Sequence, residues 1–427
     1  MLIGIDASRA NREHKGGPEW YSYHLIRWLA RLDSQNEYLL YSDKPLKGGL
    51  LDLTAAGAAG SREAAIDKHG YQKIKSPHGN FRAKILDWPL DFLWTQGRLS
   101  LEILIHCPDI LFVPAHTLPL IHPKKSIITL HDVGFERHGA LYEKSRIGPR
   151  GGKSGKALDA LVKVFTRGRF NADSLDYLFW SARFALKNAS KVITVSEFSK
   201  KEILEIYSGL GAALEEKIKV IYHGYNSDIY KNIKDKDKVE NVLNRYGLKR
   251  PYLLYVSKLE KKRNLALLVE AFAIMRERNR HDDHKLVLVG DPGFGFDDIE
   301  YTINQFGLVD EIIRPGWIGE EDMPYIYSGA EAFIFPSSYE GFGIPLLEAM
   351  ASGLPIAASC AASIPEVACD SALLFAPNDI PSMVRAMERI ISDEGLRRKL
   401  RQEGRERIRN FSWEKCARET LEEIINL

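Results

Sequence analysis

The residues with the clearest chemical purpose lie in FIFPSSYEGFGIPLLEAMASGLPIAAS, from Phe333 to Ser359. Its apolar opening reads as a strand, Glu340-Gly341-Phe342-Gly343 as a turn, and the part from about Pro345 as a helix. Gly341 and Gly343 carry no side chain, so the N–H groups of this turn, with Phe342 and Ile344 beside them, can approach a bound group closely. A helix start adds orphan donors and a partial positive charge, which suits a pyrophosphate or the oxygens of a sugar. Glu340 in the turn and Glu348 on the helix behind it can each accept from hydroxyls, one on a sugar and one on a ribose. Taken alone, Glu340 would serve equally well as an acid complementing the helix dipole, and Glu348 as an ordinary surface residue.

A second cluster follows the apolar run Tyr252–Val256: Ser257-Lys258-Leu259-Glu260-Lys261-Lys262-Arg263-Asn264. Cations in a strand-to-helix loop can neutralise a departing diphosphate, stabilising charge that develops as a bond breaks. A solvated basic turn is the plainer account. In the first half of the chain, His131-Asp132 follows Ser126–Leu130, and Gly16-Gly17 lies in the loop after Leu2–Asp6. A lone histidine is more often structural than catalytic, and a glycine pair can be simple helix entry. Both nevertheless stand just past a strand, where the sites of parallel sheets collect. Ser199 and Glu202 form a capping-box pattern, which structure alone explains.

The elements that must hold these groups are legible as a repeating theme. Short β-rich apolar runs recur, each followed by a turn and a helical pattern: Leu2–Asp6, Ile110–Val113, Ser126–Leu130, Lys191–Val195 and Lys219–Ile221. Runs such as IITL and KVITV show no polar alternation, as expected of strands covered on both faces. The helix opening at Pro18 sets Tyr21, Leu25, Trp28, Leu29 and Leu32 on one apolar face. The charged stretch Lys231–Asn241 then reads as a linker. A second series follows in Tyr252–Val256, Lys285–Val289, Ile312–Arg314, Ala332–Phe335, Pro355–Ala358 and Ala372–Phe375, with Asn264 as the expected N-cap of the helix after the first. Strand–helix alternation on this scale predicts parallel sheets with right-handed crossovers, and two series predict two doubly wound α/β domains.

At Glu340-GFGIPLL-Glu348 and the following Gly353-Leu354-Pro355, the chain resembles the retaining glycosyltransferases of the "group 1" type, glycosyltransferase family 4. The match extends over most of the second domain. It implies a GT-B fold: two Rossmann-like domains facing a cleft, 1–230 completed by a C-terminal helix (411–427), and 231–410 binding a nucleotide sugar. It further implies that Glu340 and the backbone of Gly341 to Ile344 contact the transferred sugar, and that Glu348 holds the ribose. Lys258 stands where the family has Arg, Arg263 where it has Lys, and Ser257 where it has Gly. Charge is kept, but Lys does not reproduce the bidentate geometry of Arg, and Lys262 is a substitute. The resemblance gives His131 a sugar-positioning role, places Gly16 and Gly17 near acceptor and phosphate, and makes His223-Gly224 a bend between domains. HDVGFERHGALY and LVLVGDPGFGF look most like the mannosyltransferase branch, which implies GDP-mannose, with UDP- and dTDP-sugars open. In such enzymes the leaving phosphate helps deprotonate the acceptor, a growing saccharide or lipid-linked glycan.

Other signals bound this expectation. The 427 residues carry a net charge of only +2, so no global field favours nucleic acid as partner. The four cysteines, Cys107, Cys360, Cys369 and Cys416, are scattered, which suits buried thiols in a reducing compartment. The N-terminus lacks a basic leader and no long uncharged apolar stretch occurs, so the expectation is a cytoplasmic protein. Arg150–Lys156 lacks the first glycine of a phosphate loop, Gly290–Gly295 has the wrong order for a dinucleotide fingerprint, and Asp235-Lys-Asp237 has no strand before it. With no metal-ligand spacing anywhere, neither a metal nor another cofactor is expected. The cation-rich segment Lys144–Arg169 reads either as a solvated loop or as a patch for anionic lipid or a lipid-pyrophosphate acceptor at the membrane's inner face. A rival oxidoreductase would need a Gly-x-Gly-x-x-Gly turn that is not present. A catalytically silent assembly subunit is the other alternative.

Overall fold

The computed structural model describes every residue except 55–64, 91, 149–154, 157–158, 161, 165–167, 169 and 279–282. Two compact units result, Met1–Tyr222 with Trp413–Leu427, and His223–Ser412.

The first unit is built on eight strands: β1 (Leu2–Asp6), β2 (Glu37–Ser42), β3 (Tyr71–Lys73), β4 (Phe81–Ile85), β5 (Ile110–Val113), β6 (Ser126–Thr129), β7 (Lys191–Thr194) and β8 (Ile218–Val220). They lie in the order β3-β4-β2-β1-β5-β6-β7-β8. All neighbours are parallel except β3 and β4. β1 is central, with Ile3 opposite Tyr38 on one side and Ile110 on the other. Gly4 is needed there, because a Cβ would lie 2.8 Å from the Tyr41 ring. Strands enclosed in this way must be apolar on both faces, and Ile110 to Val113 are all fully buried.

The second unit is a six-stranded parallel sheet, ordered β11-β10-β9-β12-β13-β14. Its strands are β9 (Tyr252–Val256), β10 (Lys285–Val289), β11 (Ile312–Gly316), β12 (Ala332–Phe335), β13 (Ile356–Ser359) and β14 (Ala372–Phe375). The order reverses between β9 and β12, so the loops after these two strands flank a topological switch point. Those loops carry Lys258 to Arg263 and Glu340 to Gly343.

Several local expectations need correction. Lys231–Asn241 is not a linker throughout, since a helix runs over Lys236–Arg245 with Asp235 accepting from the Lys238 N–H as its cap. Val239, Val242 and Leu243 bury one stripe of it, enough to fold a segment that is otherwise charged. Asn264 does not cap its helix; it adopts φ of 61° and its side-chain amide donates to the Pro377 carbonyl. The cap of the Glu197–Ile206 helix is Ser196 rather than Ser199, accepting from the Ser199 N–H at 3.0 Å. Only Cys416 is a buried thiol; Cys107, Cys360 and Cys369 are exposed, and all four are free. Among the described residues no helix is long and apolar enough to cross a membrane.

Candidate functional site

In the second unit the chain leaves β12 and turns at Glu340–Gly343 before the helix Ile344–Ala351. Gly343 takes φ of 100° as it enters the helix, a conformation that strains any residue with a Cβ. Pro345 in the first turn removes an N–H that would have no helical partner. The turn is braced from behind: the buried Ser363 hydroxyl donates to the carbonyls of Glu340 and Phe342, at 2.9 and 3.3 Å. The Phe342 ring packs inward, 4.9 Å from His223 and 5.8 Å from Phe411, so what this residue can offer a ligand is backbone.

Glu340 is nearly buried, and the Arg263 guanidinium donates to its carboxylate. Arg263 also reaches Glu260 at 3.4 Å, and Glu260 in turn meets Lys262 at 3.4 Å. Lys258 differs. It is exposed and enters no ion pair among the described residues. The two cations in one loop are therefore unequal: Arg263 is bound to carboxylates, and Lys258 is open to an incoming anion.

The loop 290–295 supports this cationic segment. The Gly293 N–H donates to the Leu259 carbonyl at 2.8 Å, and the Lys261 N–H to Phe294 at 2.7 Å. Gly290 has φ of 141°, and a Cβ there would stand 2.1 Å from the Ser257 carbonyl oxygen. A Cβ on Gly293 would meet the Lys258 side chain at 2.9 Å. The glycines that fail as a dinucleotide fingerprint thus serve a different end, giving close approach to the cation loop.

Glu348 lies on the Ile344–Ala351 helix, partly buried, and accepts from the Tyr327 hydroxyl at 2.8 Å. Burial pushes its carboxyl up to about 7, with Glu320 acting in the same direction and the hydroxyls of Tyr327 and Tyr230 against it. Among the described residues neither Glu348 nor Lys258 forms a hydrogen bond or ion pair with Glu340.

In the first unit, His131 follows β6 and packs edge-on against the Tyr21 ring at 4.9 Å, with Nε2 3.4 Å from the Pro114 carbonyl. Burial lowers its pKa to about 4, so the imidazole is neutral near pH 7. Gly16 precedes the helix Gly17–Leu32, and its N–H donates to Glu19 at 3.2 Å, while Glu19 pairs with Arg9 at 3.1 Å. Glu19 and Arg9 both act on His131, so the glycine pair and the histidine share one charged neighbourhood. His116 carries no signal in the sequence; among the described residues its buried Nε2 has no hydrogen-bond partner. Burial lowers its pKa to about 3. Ser363 and Tyr327 are equally silent in the sequence; each meets its partner from a distant element, so no local spacing signals it.

The basic segment is less bare than its composition suggests. Arg146 pairs with Asp159 at 2.9 Å and Lys144 faces Asp173 at 3.6 Å, while Lys156 and Lys163 are exposed. Arg150, Lys153, Arg167 and Arg169 fall outside the described residues.

Comparison with known proteins adds independent findings. Residues 235–407 match the family model described as glycosyl transferases group 1. O-antigen chain mannosyltransferase B of Escherichia coli is 30% identical over 263 residues, 61% of this chain and 67% of that protein. The serotype-specific mannosyltransferase WbdA of Escherichia coli is 24% identical over 276 residues, 62% of this chain but only 32% of that longer protein. Sucrose-phosphate synthase from Thermosynechococcus elongatus superposes with a TM-score of 0.70 at 19% identity, covering 99% of this chain and 97% of that one. The two parallel-sheet units are those of the GT-B fold.

Proposed function

We propose that this chain, which belongs to the group 1 glycosyl transferases, moves mannose from GDP-mannose to an acceptor hydroxyl. It is a nucleotide-sugar-dependent glycosyltransferase. The acceptor is a growing saccharide or a lipid-linked glycan, and the transferred sugar keeps its α configuration, as in glycosyltransferase family 4. The names of the two mannosyltransferase relatives support the sugar. A ribonucleotide is supported by Glu348, because a dTDP-sugar would offer it one hydroxyl fewer.

The observation that carries this reading is the Arg263–Glu340 pair, fixed in a glycine turn at a helix start with Lys258 exposed in the same cation loop. In this scheme Glu340 and the backbone of Gly341, Phe342, Gly343 and Ile344 receive the sugar. Lys258 faces the diphosphate, Arg263 holds Glu340 in place, and Glu348 takes the ribose. His131 is a neutral sugar-positioning group, with Gly16 and Gly17 near acceptor and phosphate. The bond from the anomeric carbon to phosphate breaks while the acceptor oxygen bonds on the same face. The acceptor proton passes to the departing phosphate, so no protein base is required. The chain's own work is orientation and charge stabilisation. No metal enters this scheme, and among the described residues no group of three or more His, Cys, Asp or Glu is arranged to hold one.

Thermal-shift titration with GDP-mannose, UDP-glucose, UDP-GlcNAc and dTDP-rhamnose tests the donor; GDP-mannose is expected to give the largest rise in melting temperature. Replacing Glu340 with Ala is expected to lower kcat by about 100- to 1,000-fold. Turnover close to wild type in that variant would remove Glu340 from the reaction.

A further inference from the structure

Glu348 is partly buried beside the hydroxyls of Tyr327 and Tyr230 and the carboxylate of Glu320. Tyr327, which donates to its Oε2 at 2.8 Å, is fully buried on the helix Met323–Gly329. That helix is fixed in turn, since the Tyr252 hydroxyl donates to the Ile326 carbonyl at 2.5 Å. The Tyr230 ring stands edge-on to Tyr327 at 5.8 Å, and Glu320, near the same carboxylate, receives the Asn226 amide at 3.0 Å.

A carboxylate that is to accept from a ribose diol must be ionised and correctly aimed. Both requirements are under strain here, because burial and Glu320 favour the protonated form. The groups that favour the ion are the tyrosine hydroxyls. Burial raises the pKa of Tyr327 well above 10, so it stays a donor at any physiological pH. Tyr252 satisfies its hydroxyl on a backbone carbonyl, whereas Tyr327 spends its one proton on the Glu348 carboxylate.

We propose that Tyr327 is the positioning residue for Glu348, holding one carboxylate oxygen so that the group meets the ribose hydroxyls of the donor as an aimed anion. This rests on the ribose role given to Glu348 above. Binding should strengthen as pH rises through the Glu348 ionisation near 7. Removing the Tyr327 hydroxyl takes away support for the charged form, so the inflection should move to higher pH.

The test is calorimetric titration with GDP or UDP, whichever the wild-type protein binds more tightly, and with its 2′-deoxy form. Wild type, Tyr327→Phe, Glu348→Gln and the double variant are compared from pH 6 to 9. Tyr327→Phe is expected to weaken binding about tenfold, since hydrogen bonds to charged groups are of that strength. It should also move the pH inflection upward and shrink the preference for the ribonucleotide over the deoxy form. Added to Glu348→Gln, it should cost nothing further. The ratio of the two affinities is read on folded protein only, so it stays informative where part of a variant misfolds. An unmoved inflection, an unchanged ratio, or an equal loss in both backgrounds would assign Tyr327 to packing and overturn the proposal. Wild-type binding by Glu348→Gln would instead overturn the ribose assignment beneath it.

Discussion

Arg263 and Lys258 carry the same charge in one loop, yet their surroundings give them different work. Arg263 lies among Glu340 and Glu260, with little of its side chain exposed; its removal leaves Glu340 uncompensated, whereas Glu260 keeps Lys262 at 3.4 Å. Breaking such a pair costs about 3–5 kcal/mol. Arg263→Ala should therefore lower the melting temperature by roughly 6–20 °C and depress kcat as Glu340 loses its orientation. Lys258 is exposed and, among the described residues, unpaired, so Lys258→Ala should change stability by less than about 0.5 kcal/mol. Its effect belongs to the donor, whose KM should rise about 10- to 100-fold as a charge-assisted contact to phosphate is lost. Melting curves and donor KM for the two variants decide the matter; equal melting losses, or an unchanged KM for Lys258→Ala, would erase the division of labour. The sequence made both cations visible because they are neighbours in the chain. It could not rank them, since the ranking comes from Glu340, which arrives from another strand.

At the scale of elements, the helix Trp413–Ile425 closes the first unit by packing on the helix Gly17–Leu32. His24 is stacked between Trp20 at 5.5 Å and Trp413 at 5.1 Å. Burial lowers its pKa to about 3, with Arg27, Arg31 and Lys15 adding repulsion. The folded state therefore resists protonating His24, while the unfolded chain takes up the proton near pH 6.5. Between pH 6.5 and about 3 the unfolded state binds more protons, so stability falls as pH falls. At pH 5 the loss is about 2 kcal/mol from His24 alone. His116 and His131, depressed to about 3 and about 4, act in the same direction. His24→Phe keeps a stacking ring and removes the titration, so its unfolding free energy should fall less between pH 7.5 and pH 5 than that of the wild type. Urea melts at the two pH values measure this, and an identical fall in both proteins would refute it. The return of the C-terminal helix was legible only through resemblance, because nothing in Trp413 or His24 alone names the other. The strands β1, β5, β6, β7, β9, β10 and β12 were legible directly, since enclosure on both faces leaves unbroken apolar runs. The helix Lys236–Arg245 was hidden by its charge, which masks three buried positions at helical spacing.

For the whole molecule the question is whether charge brings it to a lipid surface. A net charge of +2 spread over 427 residues generates no long-range attraction, so any affinity must come from a local group of cations. The segment 144–169 supplies one, but Arg146 and Lys144 are already matched by Asp159 and Asp173. Each cation near an anionic surface contributes about 1 kcal/mol, and a paired one contributes less. The exposed Lys156 and Lys163 are then the described cations left to meet a lipid surface, and the attraction to be tested is a salt-sensitive one. Flotation with vesicles containing phosphatidylglycerol should recover the protein at low ionic strength and lose it by about 0.5 M salt, where screening acts within a few ångströms. Lys156→Glu with Lys163→Glu should reduce recovery at low salt while leaving turnover of a soluble acceptor intact, because neither residue belongs to the donor site. Equal recovery on neutral and anionic vesicles would mean that these cations do not direct the enzyme to lipid.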